Sequence, residues 1–220
     1  MKLKNTESCL DPSVVLYLPL HRLDGEAFAS KDNSGCRCTA TGCLWTPQGR
    51  IFNGTSGVIT TEYKQSLDLV FGWTFICWFK STETNNYRSL AAKGPANDIN
   101  FYRPTTNVLR CHTYDGTGWT VMDTAANDWF NGEWHQYAAV CPPDGTNAKA
   151  YRNGEQTAIT GGNLSVRVPR TGSDKIWYVA QYGSGLQYLN GTIGEVLIYN
   201  RALPPHEIQH IYLQTKGRYF

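Results

Sequence analysis

The segment Trp73-Thr74-Phe75-Ile76-Cys77-Trp78-Phe79 constrains this chain more than any other. In an extended strand, side chains alternate between two faces. Thr74, Ile76 and Trp78 then share one face, and Phe75, Cys77 and Phe79 share the other. Both sets are almost wholly apolar, so this strand must be covered on both sides. Shorter apolar runs of the same kind precede and follow it: Val14–Leu18, Arg50–Phe52, Val58–Thr60, Ser89–Ala92, Ile99–Arg103 and Val108–Tyr114. Trp119–Met122, Trp134–Val140, Ala148–Arg152, Ile176–Ala180 and Gly194–Tyr199 continue the series. Turn pairs punctuate them, at Asn53-Gly54, Asp115-Gly116, Asp144-Gly145 and Asn153-Gly154. Many short strands without intervening helices predict an all-β fold, a two-sheet antiparallel β-sandwich of the jelly-roll type. One short C-terminal helix is expected over Pro204–Leu213, with proline in its first turn and Ile208, Ile211 and Tyr212 on one face.

At 220 residues, 41% of them hydrophobic, the chain is long enough to build its own core and too apolar to be disordered. The expected layout is an N-terminal tail (1–12), one domain (13–213) and a C-terminal tail (214–220). A net charge of only +2 speaks against nucleic acid or an anionic membrane as partner. No apolar run approaches the roughly 18–20 residues of a membrane-spanning helix. No secretory leader is visible, and an extracellular or virion-associated location is the expectation. Seven cysteines leave at least one thiol unpaired within the chain. Cys36, Cys38 and Cys43 lie close together and offer a local bridge from Cys43 to Cys36 or Cys38. The alternative is that they are free thiols. Asn53, Asn163 and Asn190 stand in N-x-S/T sequons, and the Asn-Gly turn reading is preferred for Asn53 and Asn190.

Several segments, in order along the chain, resemble one family. They are Val15-Leu16-Tyr17-Leu18-Pro19-Leu20, Gly49-Arg50-Ile51-Phe52-Asn53-Gly54-Thr55, and Ser66-Leu67-Asp68-Leu69 followed by the Trp73–Phe79 strand. Gly132-Glu133-Trp134-His135-Gln136-Tyr137-Ala138 and Tyr151-Arg152-Asn153-Gly154-Glu155 follow. Most specific is the tail from Gly191 through Gly194-Glu195-Val196-Leu197-Ile198-Tyr199-Asn200-Arg201-Ala202-Leu203. Together they resemble the laminin-G-like, concanavalin A-like lectin/glucanase jelly roll over roughly residues 13 to 213. The resemblance implies two packed antiparallel sheets, one of them concave. It also implies a binding module, commonly for glycans and sometimes for proteins; a minority of the wider superfamily cleave glycans.

The resemblance further implies one structural calcium, where an early loop meets an acidic pair before the last long strand. Asp24, Asp32 and Asn33 supply hard oxygen donors in that loop. Glu195 matches the second acid of the pair, and Gly194 stands in place of the first. Calcium takes about six to eight oxygens, so the lost carboxylate weakens the site, though Asn33 and backbone carbonyls can contribute. The alternative is an Asx turn at Asp32-Asn33 and a solvated Glu195. His206-Glu207-Ile208-Gln209-His210 matches the H-E-x-x-H zinc motif on the expected helix. Ile211 to Phe220 contain no His, Asp, Glu or Cys, so a downstream third ligand is missing, and zinc is not expected.

Strand alternation nominates a binding face. Leu109 and Cys111 suit the core, which puts Arg110, His112 and Tyr114 opposite. Ile99 and Phe101 suit the core, which puts Asn100 and Tyr102 opposite. Lys93 is assigned outward together with Ala91. If these strands are neighbours, Lys93, Asn100, Tyr102, Arg110, His112 and Tyr114 share one face, with Trp119 and Tyr182 at its rim. Aromatic planes flanked by hydrogen-bond donors suit a sugar, whose C–H face stacks while its hydroxyls pair. The bland alternative is ordinary cross-strand pairing on an exposed sheet. Trp73, Trp78, Trp134 and Trp177 are expected in the core.

Enzyme signals are thin. Glycoside hydrolysis needs two facing carboxylates, and no Glu-x-Asp-x-x-Glu strand occurs. Tyr102, Arg110, His112 and Tyr114 could furnish a lyase base and its partner, but longer lyase motifs are absent. The leading expectation is non-catalytic glycan recognition on the concave face. One rival is a structural or decoration protein of a virus-like particle or cell surface, partnered by other protein chains. The other is a polysaccharide lyase or hydrolase.

Overall fold

The apolar alternation resolves into strands stacked in two antiparallel layers. The computed structural model describes residues 11–85, 87–96, 98–105, 107–144, 148–162, 169–183 and 185–220. The strands begin with β1 (Val14–Pro19), β2 (Ala27–Ala29), β3 (Arg37–Thr41), β4 (Cys43–Thr46), β5 (Gly49–Asn53) and β6 (Val58–Thr61). Next come β7 (Trp73–Lys80), β8 (Arg88–Lys93), β9 (Ile99–Arg103), β10 (Arg110–Tyr114), β11 (Trp119–Thr124) and β12 (Trp134–Cys141). They end with β13 (Lys149–Arg152), β14 (Glu155–Thr157), β15 (Ile159–Gly161), β16 (Trp177–Val179) and β17 (Asn190–Tyr199), and helix α1 (Pro205–Thr215) follows. One sheet has eight strands in the order β14-β13-β12-β7-β17-β5-β4, with β1 also pairing β17. The other has nine, in the order β15-β11-β10-β9-β8-β16-β6-β3-β2.

Strand β7 is covered on both faces, as its composition requires. Phe75, Cys77 and Phe79 enter the core between the sheets, where Phe75 stacks on Phe101 of the opposite sheet with ring centroids 3.8 Å apart. Ile76 packs on the other side with Leu197, Leu203 and Ile208, under α1. The Thr74 hydroxyl donates to the Arg201 carbonyl and accepts from the Leu203 N–H, both at 2.9 Å, which fixes the entry to the helix. Trp73 and Trp177 lie in the inter-sheet core, while Trp78 and Trp134 are buried on the outer side of the eight-stranded sheet.

The chain switches sheets at Gly42, whose φ of +62° suits a residue without a side chain. Cys38 therefore lies in one sheet and Cys43 in the other. The local bridge expected as one alternative is not formed, and the six described cysteines are free thiols. The Asn53 side-chain oxygen accepts the backbone N–H groups of Thr55, Ser56 and Gly57, the geometry of a tight turn. Asn163 and residues 1–10 of the expected tail lie outside the described residues.

The C-terminal segment was expected to be a tail from residue 214. Instead α1 runs to Thr215, and a 3-10 turn over Lys216–Arg218 returns the chain to the sheet. Tyr219 then packs between Trp78 and Trp134, with centroids at 4.4 and 4.6 Å. The two indoles explain the difference: both project outward from the sheet and need an apolar cover. Trp78 also donates its indole N–H to Thr215 Oγ1 at 2.8 Å. Beneath this cover the Glu195 carboxylate accepts from Arg218 Nη1 at 2.6 Å and from the Tyr17 hydroxyl at 3.3 Å.

Lys93 corrects the sequence reading. A β-bulge interrupts the β8–β9 register between Ser89 and Ala91, and Leu90 and Ala91 both face the core. Beyond a bulge the alternation changes parity. Ala92 therefore pairs Asn100 on the outer face, while Lys93 pairs Ile99 and points inward. Its side chain is fully buried, with Nζ 3.2 Å from Asp68 Oδ1 and 2.9 Å from the Arg170 carbonyl.

Two predictions follow from these buried charges. Lys93→Ala strands a buried carboxylate and should cost about 3–5 kcal/mol in chemical denaturation. Lys93→Met combined with Asp68→Leu should recover most of that loss; equal losses for the two variants would contradict the pairing. Burial pushes the Glu195 pKa from 4.5 up to about 7, against the pull of Arg218 and Tyr17. The folded protein thus holds this proton more tightly than the unfolded chain does. The contribution is favourable at pH 4.5 and is lost as pH rises to about 7. Across that window, wild type should lose up to about 3 kcal/mol of stability relative to Glu195→Gln. A pH-independent difference would refute it.

Candidate ligand groove

The outer face of the nine-stranded sheet holds a groove of about 320 Å³. Register assembles its floor. Tyr102 pairs Arg110 and Asn100 pairs His112 across β9–β10, while His112 pairs Val121 across β10–β11. Tyr87, before β8, and Tyr182 and Gln187, from the loop between β16 and β17, complete the lining with Trp119. The face assigned from alternation therefore does bring together Asn100, Tyr102, Arg110, His112, Trp119 and Tyr182.

Tyr114 lies on the same face but outside the groove lining. Its ring stacks on Trp119 at 4.3 Å, its hydroxyl donates to the Gly116 carbonyl, and the Arg170 guanidinium sits 5.1 Å from its ring centre. Lys93 is on the opposite face.

Tyr87, Val121 and Gln187 were missed. Val121 was legible, because it alternates with Trp119 along β11 and faces the same way. Tyr87 and Gln187 carried no such signal. Each holds a left-handed backbone, with φ of 59° and 56°, a conformation uncommon outside glycine. Each is tied to the sheet: the Tyr87 N–H donates to the Arg103 carbonyl, and the Gln187 carbonyl accepts the Ser89 N–H. Side chains held in such conformations concentrate at functional sites.

The aromatic groups form a ribbon across the strands. Tyr87 stacks near Tyr102 at 6.4 Å, Tyr102 meets His112 edge-on at 5.2 Å, and His112 meets Trp119 at 4.6 Å. The ends of the ribbon are open, with Tyr87 54% and Trp119 50% exposed, and Tyr102 and His112 are buried at its floor. Arg110 clasps Asp123 through two hydrogen bonds, Nε to Oδ1 at 2.6 Å and Nη2 to Oδ2 at 2.7 Å. That clasp holds the guanidinium firmly charged. Burial raises the Tyr102 phenol above its ordinary value despite Arg110. A phenol so raised is poorly suited to act as a base at neutral pH.

The expected calcium donors are committed elsewhere. Asp32 accepts from the Tyr17 N–H and from the N–H and hydroxyl of Ser34; Asp24 meets Lys31 at 3.5 Å. Arg50 binds the carbonyls of Asp24 and Gly25, and Asn33 is exposed. Glu195 is ion-paired with Arg218. At Gly194, where the resemblance leads one to look for another acid, a Cβ would lie 2.3 Å from the Tyr219 ring. The aromatic ring has taken the space of a side chain, and the carboxylates of Asp24, Asp32 and Glu195 are engaged by Lys31, by Tyr17 and Ser34, and by Arg218. This set does not fit a calcium ion. On α1, His206 and His210 are exposed and Glu207 is held by Arg201. Among the described residues no group of three or more His, Cys, Asp or Glu side chains could hold a metal.

Comparison with known proteins agrees with the fold. None of the curated proteins matches this sequence significantly. Among solved structures, Trypanosoma rangeli sialidase superposes with a TM-score of 0.70 at 16% identity, covering 96% of this chain and 34% of the sialidase. The binding domain of botulinum neurotoxin DC, solved with rat synaptotagmin II, superposes with a TM-score of 0.70 at 10% identity, covering 92% of this chain and 51% of that one. A botulinum neurotoxin type C structure, described by its dependence on two ganglioside molecules for cell entry, gives 0.69 at 11% identity, with 92% and 51% covered. This chain thus spans between a third and about half of those chains, and at such identities the likeness concerns the fold. A family model matches residues 52–209, most of the sandwich, and the chain belongs to the concanavalin A-like lectin/glucanase superfamily.

Proposed function

We propose that this protein is a non-catalytic recognition module that binds glycans in the groove on its nine-stranded sheet. The observation that carries this reading is the aromatic ribbon, open at Tyr87 and Trp119 above a floor of Asn100, Tyr102, Arg110 and His112. Exposed rings offer flat apolar surface to the C–H face of a pyranose, and the polar floor offers partners for its hydroxyls. The structural neighbours support the ligand class: the sialidase is known in complex with sialic acid, and cell entry of type C neurotoxin depends on interaction with two ganglioside molecules. Among the described residues, the groove lining contains no carboxylate, whereas glycoside hydrolysis commonly uses two.

A glycan array should show retention of a defined set of saccharides. Trp119→Ala and Arg110→Ala should each weaken that retention about tenfold or more, the scale of one stacked ring or one charge-assisted hydrogen bond. Retention untouched by both substitutions would move the site to another face. New reducing ends or unsaturated uronate absorbance would assign glycan cleavage instead.

A further inference from the structure

Resting on that reading, the charge arrangement in the groove narrows the ligand class. Among the described residues, Arg110 is the one lysine or arginine in the lining. Left free, it would attract carboxylated or sulfated sugars, since guanidinium groups pair with such anions through two parallel hydrogen bonds. Here that geometry is already spent within the protein. Asp123 lies directly opposite Arg110 in the β10–β11 ladder and takes Nε and Nη2. Asp123 is itself held from the far side, where it pairs Gly161 of β15. A Cβ at residue 161 would stand 3.0 Å from Asp123 Oδ2, so the carboxylate fills the space that a side chain there would need.

The next cation along this face is also committed, Arg170 to Asp98 at 2.5 Å. The groove thus presents a guanidinium whose charge is cancelled, with a carboxylate beside it. Two atoms of lining residues point the same way. The Asn100 amide nitrogen and the Gln187 side-chain oxygen are buried and have no hydrogen-bond partner among the described residues. One is a donor and the other an acceptor. A sugar hydroxyl can accept from the first and donate to the second; a carboxylate or sulfate only accepts. An acidic substituent would leave Gln187 unanswered, and it would meet Asp123 as a like charge.

We infer that the groove selects uncharged saccharides and that Asp123 is the residue that excludes acidic ones. Asp123 acts through Arg110 and need not touch the sugar.

The experiment compares wild type with Asp123→Asn and Asp123→Ser on immobilised neutral oligosaccharides and on their sialylated, uronate-containing and sulfated counterparts. Mildly alkaline pH keeps imidazole neutral. Wild type should retain neutral glycans and bind acidic counterparts at least about tenfold more weakly. Both variants free the guanidinium and should gain about tenfold or more for the acidic set. The gain should fade at high salt. Wild type preferring acidic glycans would overturn the inference while leaving glycan recognition intact. So would an unchanged neutral-to-acidic ratio in variants that fold normally. Wild type retaining no saccharide of either kind would remove the glycan reading and this inference with it.

Discussion

Burial of β7 on both faces organises the rest of the molecule. One face supplies Phe75, Cys77 and Phe79 to the space between the sheets, where the Phe75–Phe101 stack joins the two layers at 3.8 Å. The other face carries Ile76 and Trp78, and a sandwich of two sheets leaves that side open. Helix α1 and Tyr219 close it. Each fully buried side chain of this size contributes about 1.5–3 kcal/mol relative to exposure. The C-terminal segment is thereby part of the fold. The same cover buries Glu195, whose raised pKa is a direct consequence of apolar packing above it.

The groove depends on that core at one remove. Phe101 and Cys111 point inward to meet it, so Asn100, Tyr102, Arg110 and His112 must point outward from the same two strands. The groove floor is thus the reverse side of the core, positioned by backbone ladders. Its rim has a different origin. Tyr87, Tyr182 and Gln187 line the groove from connections, with left-handed backbone at Tyr87 and Gln187. The floor thus rests on strand ladders and part of the rim on loops, the segments that vary most readily without altering a sandwich. The Arg110–Asp123 clasp adds electrostatic character: two residues facing each other across one strand pair cancel their charges within a surface otherwise made of rings and amides.

The metal question shows how a local pattern can mislead. Carboxylates and an amide in an early loop, with a glutamate before the last long strand, read as hard oxygen donors. In the folded chain Asp32 serves as a turn and strand anchor, and Glu195 accepts a hydrogen bond from Arg218. The Tyr219 ring occupies the room that Gly194 leaves. Likewise His206 and His210 stand one turn apart on the helix, yet the helix lies on the outside and the intervening glutamate is held by Arg201. In both cases residue types and spacing were legible, and the side chains were taken up by partners that spacing alone does not show: Ser34 and Lys31 nearby, Arg201 six residues before Glu207, and Tyr17 far from Glu195.

Period-two alternation, turn dipeptides and the proline-led helix start sufficed to read an all-β sandwich, its doubly covered strand and most of the groove floor, because these depend on neighbours within a few residues. Alternation failed at Lys93, where one extra residue at the β8 bulge reversed the faces and turned an expected surface lysine into a buried partner of Asp68. Bulges follow from pairing with the adjacent strand, which local sequence does not display. The groove rim at Tyr87 and Gln187, the pairing of Asp123 with Arg110, and the seating of Tyr219 on two tryptophans were likewise decided only in three dimensions. Each needs residues brought together by sheet topology, and each is settled by which charge or ring another part of the chain delivers.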